Sequence, residues 1–139
     1  MIQRIQSIWL LFAAACAFLT YKFSFYSGMK TGSDNIQRFT YLNASTEILL
    51  MIIAGFLGLA CFITIFLFKD RKLQFRITII CLLLSALNLI IYFVQIKKFT
   101  TGNFLLTSIF SFIIPLFLIF AARGIWKDEK LIKSLDRLR

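Results

Sequence analysis

The chain has 139 residues, of which 60% are apolar and 16% charged, with 17 Phe and a net charge of +10. A soluble domain of this size has too little interior to bury that much apolar surface, so the excess must face lipid. That excludes a soluble enzyme and a disordered chain, and an odd three Cys exclude a disulfide scaffold.

Charge-free runs set the organisation. Arg4 to Lys22 encloses 17 uncharged residues, Glu47 to Lys69 encloses 21, Arg76 to Lys97 encloses 20 and Lys98 to Arg123 encloses 24. A hydrocarbon core of about 30 Å needs roughly 20 helical residues. The sequence therefore predicts an all-α membrane protein, a bundle of four transmembrane helices near residues 5–25, 48–68, 77–96 and 104–122 within a single membrane domain. The first span reaches full length if Lys22 snorkels outward. Ala13-Ala14-Ala15-Cys16 superficially resembles a lipoprotein cleavage site, but the apolar run continues through Tyr21, so the first helix is expected to stay.

Between the first two spans, Tyr21 to Phe25 and Phe39 to Leu42 alternate aromatic with polar residues around a turn containing Gly32 and Ser33-Asp34-Asn35. Period-two alternation about a turn predicts a small outer β-hairpin. Asn43 is placed to cap the second helix. The inner loop, 69–76, is short and basic. Beyond Arg123, residues 123–139 form a basic amphipathic tail, with Leu131, Ile132, Leu135 and Leu138 on one arc and Lys130, Lys133 and Arg137 opposite. Such a tail is a docking element or a solvated flank that enforces topology.

Counting Lys and Arg orients the chain. With the N-terminus inside, Arg4, Lys69, Arg71, Lys72, Arg76, Arg123, Lys127, Lys130, Lys133, Arg137 and Arg139 are cytoplasmic. Lys22, Lys30, Arg38, Lys97 and Lys98 lie outside. The positive-inside rule prefers this arrangement, and Trp9 and Trp126 fall at the inner boundary as interfacial aromatics do.

The spans offer little reaction chemistry. The chain has no His, its Cys (Cys16, Cys61, Cys81) form no C-x-x-C pair, and no carboxylate occupies a span centre. No metal site, no cofactor and no catalytic residue is expected. The strongest pattern is on the third span, where Thr78, Cys81, Ser85, Asn88, Tyr92 and Gln95 recur at three- and four-residue steps and share one face. Such a stripe is hydrogen-bonded glue between helices or a hydrophilic path centred on Asn88. Small residues line its expected neighbours: Ala13, Ala17 and Thr20 on the first span, Ala54, Gly58 and Cys61 on the second. Pro115 on the fourth predicts a kink.

The basic inner residues Lys69, Arg71, Lys72, Arg76, Lys127, Lys130, Lys133, Arg137 and Arg139, with Trp126, are candidate contacts for anionic lipid or a protein partner. Nucleic acid is not expected, because the tail offers only Trp126 for stacking. The start MIQRIQ, the loop KDRKLQFR and the ending WKDEKLIKSLDRLR together resemble a domain-of-unknown-function family of small four-span inner-membrane proteins of Bacteroidota. The resemblance spans the whole chain, implies a bacterial inner membrane, and transfers no site. The function expected is non-catalytic: an accessory or scaffold subunit of a larger membrane complex, or a homo-oligomer. The alternatives are a small oligomeric transporter or channel using the stripe, and a regulator that recruits a cytoplasmic partner through its tail.

Overall fold

A computed structural model describes the backbone of residues 3–31, 37–67 and 70–136, and the side chains of 5–30, 37–67 and 70–131. In chain order the elements are α1 (Gln3–Lys22), β1 (Tyr26–Thr31), β2 (Gln37–Leu42), α2 (Ile48–Phe66), α3 (Arg71–Ile96), β3 (Phe99–Phe104) and, after a single 3-10 turn, α4 (Ile109–Asp136). All four helices are long and apolar enough to cross a membrane. Only 28–39% of each span is buried inside the protein, so the larger part of every helix surface is outward-facing and apolar. Helix α1 packs on α2 and α4, and α3 packs on the same two helices.

The small-residue faces make this packing close. Ala13, Ala17 and Thr20 of α1 and Ala54, Gly58 and Cys61 of α2 are all buried, and Leu10, Leu57, Ile114 and Leu118 fill the space between them. Without a water-driven hydrophobic effect between helices, such close approach supplies the van der Waals contact that holds them together. Helix α4 continues unbroken through Pro115.

At one end of the bundle sits a three-stranded antiparallel sheet in the order β2-β1-β3. The expected hairpin is there, but displaced and enlarged. Tyr21 and Lys22 finish α1 instead of starting a strand, and Phe23 still donates to the Leu19 carbonyl at 2.9 Å. The first strand begins at Tyr26, pairing with Leu42. Phe25 turns inward, where its ring stacks on Tyr92 at 4.4 Å. Its alternation with Phe23 thus reflects one buried and one lipid-facing aromatic. The third strand comes from the connection between the last two spans, which hydropathy left unassigned or gave to the start of the fourth helix. It fits because Gly28 and Gly102 stand opposite each other in register. A Cβ on Gly28 would lie 2.2 Å from the Thr101 carbonyl oxygen, and one on Gly102 would lie 2.4 Å from that of Ser27.

One further expectation is corrected. Asn43 does not cap α2, whose N-cap residue is Glu47, with a carboxylate that accepts no capping N–H. Asn43 instead donates to the Tyr21 carbonyl at 3.4 Å, Ser45 donates to the same oxygen at 3.5 Å, and the Ala44 N–H reaches the Thr20 carbonyl at 3.0 Å. The last carbonyls of α1 have no partners within their own helix, and this segment satisfies them. The tail continues the last span without a break, since α4 runs to Asp136. The basic loop is likewise largely absorbed, since Arg71, Lys72 and Arg76 lie in the first turns of α3. The expected turn at Gly32 to Asn35 lies outside the described residues.

Replacing Gly28 with Ala should destabilise the protein by about 1–3 kcal/mol, the range for overpacking a close contact. Asn103→Ala on the exposed part of β3 should change stability by less than about 0.5 kcal/mol. Thermal unfolding in detergent checks both; equal midpoints would mean that the strands do not approach as closely as this.

Candidate functional site

The α3 stripe faces the bundle interior. Thr78, Cys81, Ser85, Asn88 and Tyr92 are each 2% exposed or less, and Gln95 is half-buried. Its hydroxyls are mostly satisfied within their own helix, because Thr78 donates to the Gln74 carbonyl at 2.8 Å and Ser85 to that of Leu82 at 2.7 Å. Cross-helix contacts come from the thiols of Cys81 and Cys61, which meet between α3 and α2, and from Gln74, which donates to the Thr64 carbonyl at 3.2 Å. Further along, Asn88 Oδ1 and Gln95 Oε1 are buried with no hydrogen-bond partner, while the Tyr92 hydroxyl lies against Thr20 of α1 and Ser111 of α4. The Asn88 side chain is 2% exposed in this arrangement.

At the end of the bundle that holds the chain termini, Asp128 of α4 is buried, with Gln6 of α1 donating to its Oδ2 at 2.6 Å and Arg71 Nη1 lying 3.0 Å from the same oxygen. Gly124 makes room one turn back, for a Cβ there would lie 2.7 Å from Gln6 Cγ. One carboxylate therefore ties three helices, and Gln74 ties the fourth. From the sequence Asp128 is only an acid intruding on the tail, because its partners Gln6 and Arg71 are distant along the chain. Arg71, expected among the outward basic contacts, turns inward to this centre. Lys72, Arg76, Lys127 and Trp126 are exposed, and Lys130 lies 5.9 Å over the Trp126 ring. The side chains of Lys69, Lys133, Arg137 and Arg139 lie outside the described residues. Among the described residues no group of three His, Cys, Asp or Glu converges as metal ligands would.

The third feature, at the sheet end, was not anticipated. A cleft of about 530 Å³ lies between the sheet and the loop that leads into α2. Lys30, Thr40, Asn43 and Glu47 line it together with Phe39 and Tyr41. Lys30 Nζ stands 3.7 Å from Glu47 Oε1, an ion pair too long to be a hydrogen bond. Thr40 Oγ1 and Asn43 Oδ1 are buried without partners, a condition that costs about 1–3 kcal/mol per group unless something outside the chain supplies the bond. Chemically the cleft can bind a group presenting both a negative charge and N–H or O–H donors.

Removing one member of the Asp128 centre leaves the others buried and unpaired. Asp128→Leu and Arg71→Met should each cost about 3 kcal/mol, whereas the two together should recover most of that loss. Unfolding midpoints of the two single variants and the double variant in detergent form the check; strictly additive losses would mean that the pair does not couple.

No curated protein and no solved structure is significantly similar to this chain. A family model does match, the domain of unknown function DUF4293, and the match covers residues 2–138. That extent takes in all four helices, the sheet and the Gln6–Arg71–Asp128 centre, so the chain as a whole belongs to the DUF4293 family.

Proposed function

We propose that this multi-pass membrane protein is a non-catalytic accessory or scaffold subunit of a larger assembly in a bacterial inner membrane, with both termini cytoplasmic. One observation carries the reading: the Gln6–Arg71–Asp128 centre and the Gln74–Thr64 bond tie the helices to one another, while the groups offered outward sit at the two ends of the bundle. At the terminus end these are Lys72, Arg76, Lys127, Lys130 and Trp126, all exposed. At the sheet end they are Met29, Phe39 and Tyr41, with Phe39 57% and Tyr41 54% exposed. Aromatic rings and basic side chains are what protein contacts and headgroup contacts use. The charge count and the resemblance to inner-membrane proteins support the location and orientation.

Photo-crosslinking in native membranes tests the role. A crosslinker at Tyr41 or Trp126 should give discrete adducts with one polypeptide species, and a crosslinker at Ile52 on the lipid face should give none. Lipid adducts alone at all three positions would overturn the proposal. Orientation has its own measurement, helped by the burial of Cys16, Cys61 and Cys81. Phe39→Cys should react with an impermeant maleimide in intact cells and Lys130→Cys only after permeabilisation; the reverse pattern would invert the topology.

A second reading, an oligomeric channel or transporter, is favoured by one observation, the unpartnered acceptors of Asn88 and Gln95 along α3. It requires a state in which water reaches them. Replacing Ser85, Asn88 and Gln95 with Leu should then abolish flux in liposomes while the protein still folds, and undiminished flux would exclude it.

A further inference from the structure

We propose that the cleft at the sheet end binds the amino-phosphate headgroup of phosphatidylethanolamine, its phosphate on Lys30 and its ammonium donating to Glu47, Asn43 and Thr40.

The charges call for an anion. Lys30 and Arg38 stand directly opposite each other in the β1–β2 register, and like charges so placed repel. Glu47, the one carboxylate among the described residues beside them, only partly offsets this at 3.7 Å. The same site also calls for a donor. Asn43 uses its Nδ2 on the Tyr21 carbonyl, which turns its Oδ1 to a position where no protein group donates. Thr40 Oγ1 is in the same state. Glu47 occupies the N-cap position of α2, yet its carboxylate makes no capping bond and reaches toward Lys30 instead. A phosphate with no ammonium would satisfy Lys30 and leave Glu47 and Asn43 opposed to it. A trimethylated amine carries no N–H to give. The primary ammonium of ethanolamine has three N–H to give, one each for Glu47, Asn43 and Thr40.

Position selects a lipid over a soluble amino-phosphate. Glu47 immediately precedes the apolar run Ile48–Phe66, and Ile48, Leu49 and Ile52 below the cleft are 74%, 55% and 60% exposed. Acyl chains attached to a headgroup in the cleft would run along that face, and Tyr41 lies at the level where interfacial aromatics sit.

The inference rests on the membrane reading, and its test separates the two. The purified full chain in detergent is titrated with phosphatidylethanolamine, phosphatidylcholine and phosphatidylglycerol of identical acyl chains, and retention is read by native mass spectrometry. Phosphatidylethanolamine should be retained roughly tenfold better than either, the scale of one charge-assisted hydrogen bond. Thr40→Val and Glu47→Gln should each reduce it toward the phosphatidylcholine level, and Arg76→Gln at the opposite end should not. Thr40→Val removes a hydroxyl that bonds to nothing in the protein, so its helical content and unfolding midpoint should stay unchanged. Equal retention of the three lipids, or a preference intact in both cleft variants, would overturn the proposal. Displacement by soluble phosphoethanolamine at matched concentration would overturn the lipid assignment in favour of a soluble occupant. A chain monodisperse without detergent would overturn the membrane reading and this one together.

Discussion

Hydrocarbon supplies no hydrogen-bond partners, and that constraint orders every part of this molecule. With roughly a third of each span turned inward, the outward surfaces of the four helices are left to Leu, Ile and Phe. Polar side chains are then confined to three places: the narrow interior, the terminus end and the sheet end. In the interior a hydroxyl can satisfy itself by donating to a carbonyl one turn back on its own helix, as Thr64, Thr78 and Ser85 do. This is a local solution that needs no neighbour. It lets α3 carry a polar face along its length without requiring a matching polar face on α2 or α4.

The two ends are closed by different physics. At the terminus end a single carboxylate oxygen gathers Gln6 and Arg71, so three helix ends are fixed by charge. A buried ion pair of this kind adds less to stability than its Coulomb energy implies, because both ions lose water. It does fix which helices meet and in which register. At the sheet end the closure is aromatic. Phe25 stacks on Tyr92 and meets Phe104 edge-on at 5.8 Å, while Tyr26 meets Phe99 and Phe104. The sheet thus acts as a lid over the bundle, joined to it by rings and, just past β2, by the backbone bond from Ala44 to the Thr20 carbonyl of α1.

The parts of this fold that obey one long-range rule were legible in the sequence. Span number, span centres and the inward face of α3 follow from hydropathy and a 3.6-residue period, because lipid acts on every residue of a span alike. What was not legible depends on a partner far along the chain. The third strand, Phe99–Phe104, is too short to carry a pattern of its own, and it becomes a strand because Gly102 can approach Gly28 some seventy positions earlier. Asn43 has the right residue type and spacing for capping α2, and nothing local reveals that the Tyr21 carbonyl is the needier group. Asp128 read as a stray acid in a basic tail because Gln6 lies 122 positions away. The cleft had no sequence signature at all, being assembled from β1, β2 and the approach to α2.

The distribution of unsatisfied atoms divides the molecule more sharply than its charge does. From the terminus end, Gln74, Thr78, Cys81 and Ser85 all find partners. Past the middle of α3, Asn88 and Gln95 each keep a buried atom without one, and Thr40 and Asn43 add two more in and beside the sheet. All four lie in the half of the protein toward the sheet. Folding alone would remove such groups, since an apolar side chain of the same shape avoids the loss at each position. Thr40 and Asn43 line the cleft that holds the loose ion pair, so the acceptors left over there are the ones that a group from outside the chain can reach. The terminus end, closed on itself around Asp128, is the part that holds the fold while the sheet end meets its surroundings.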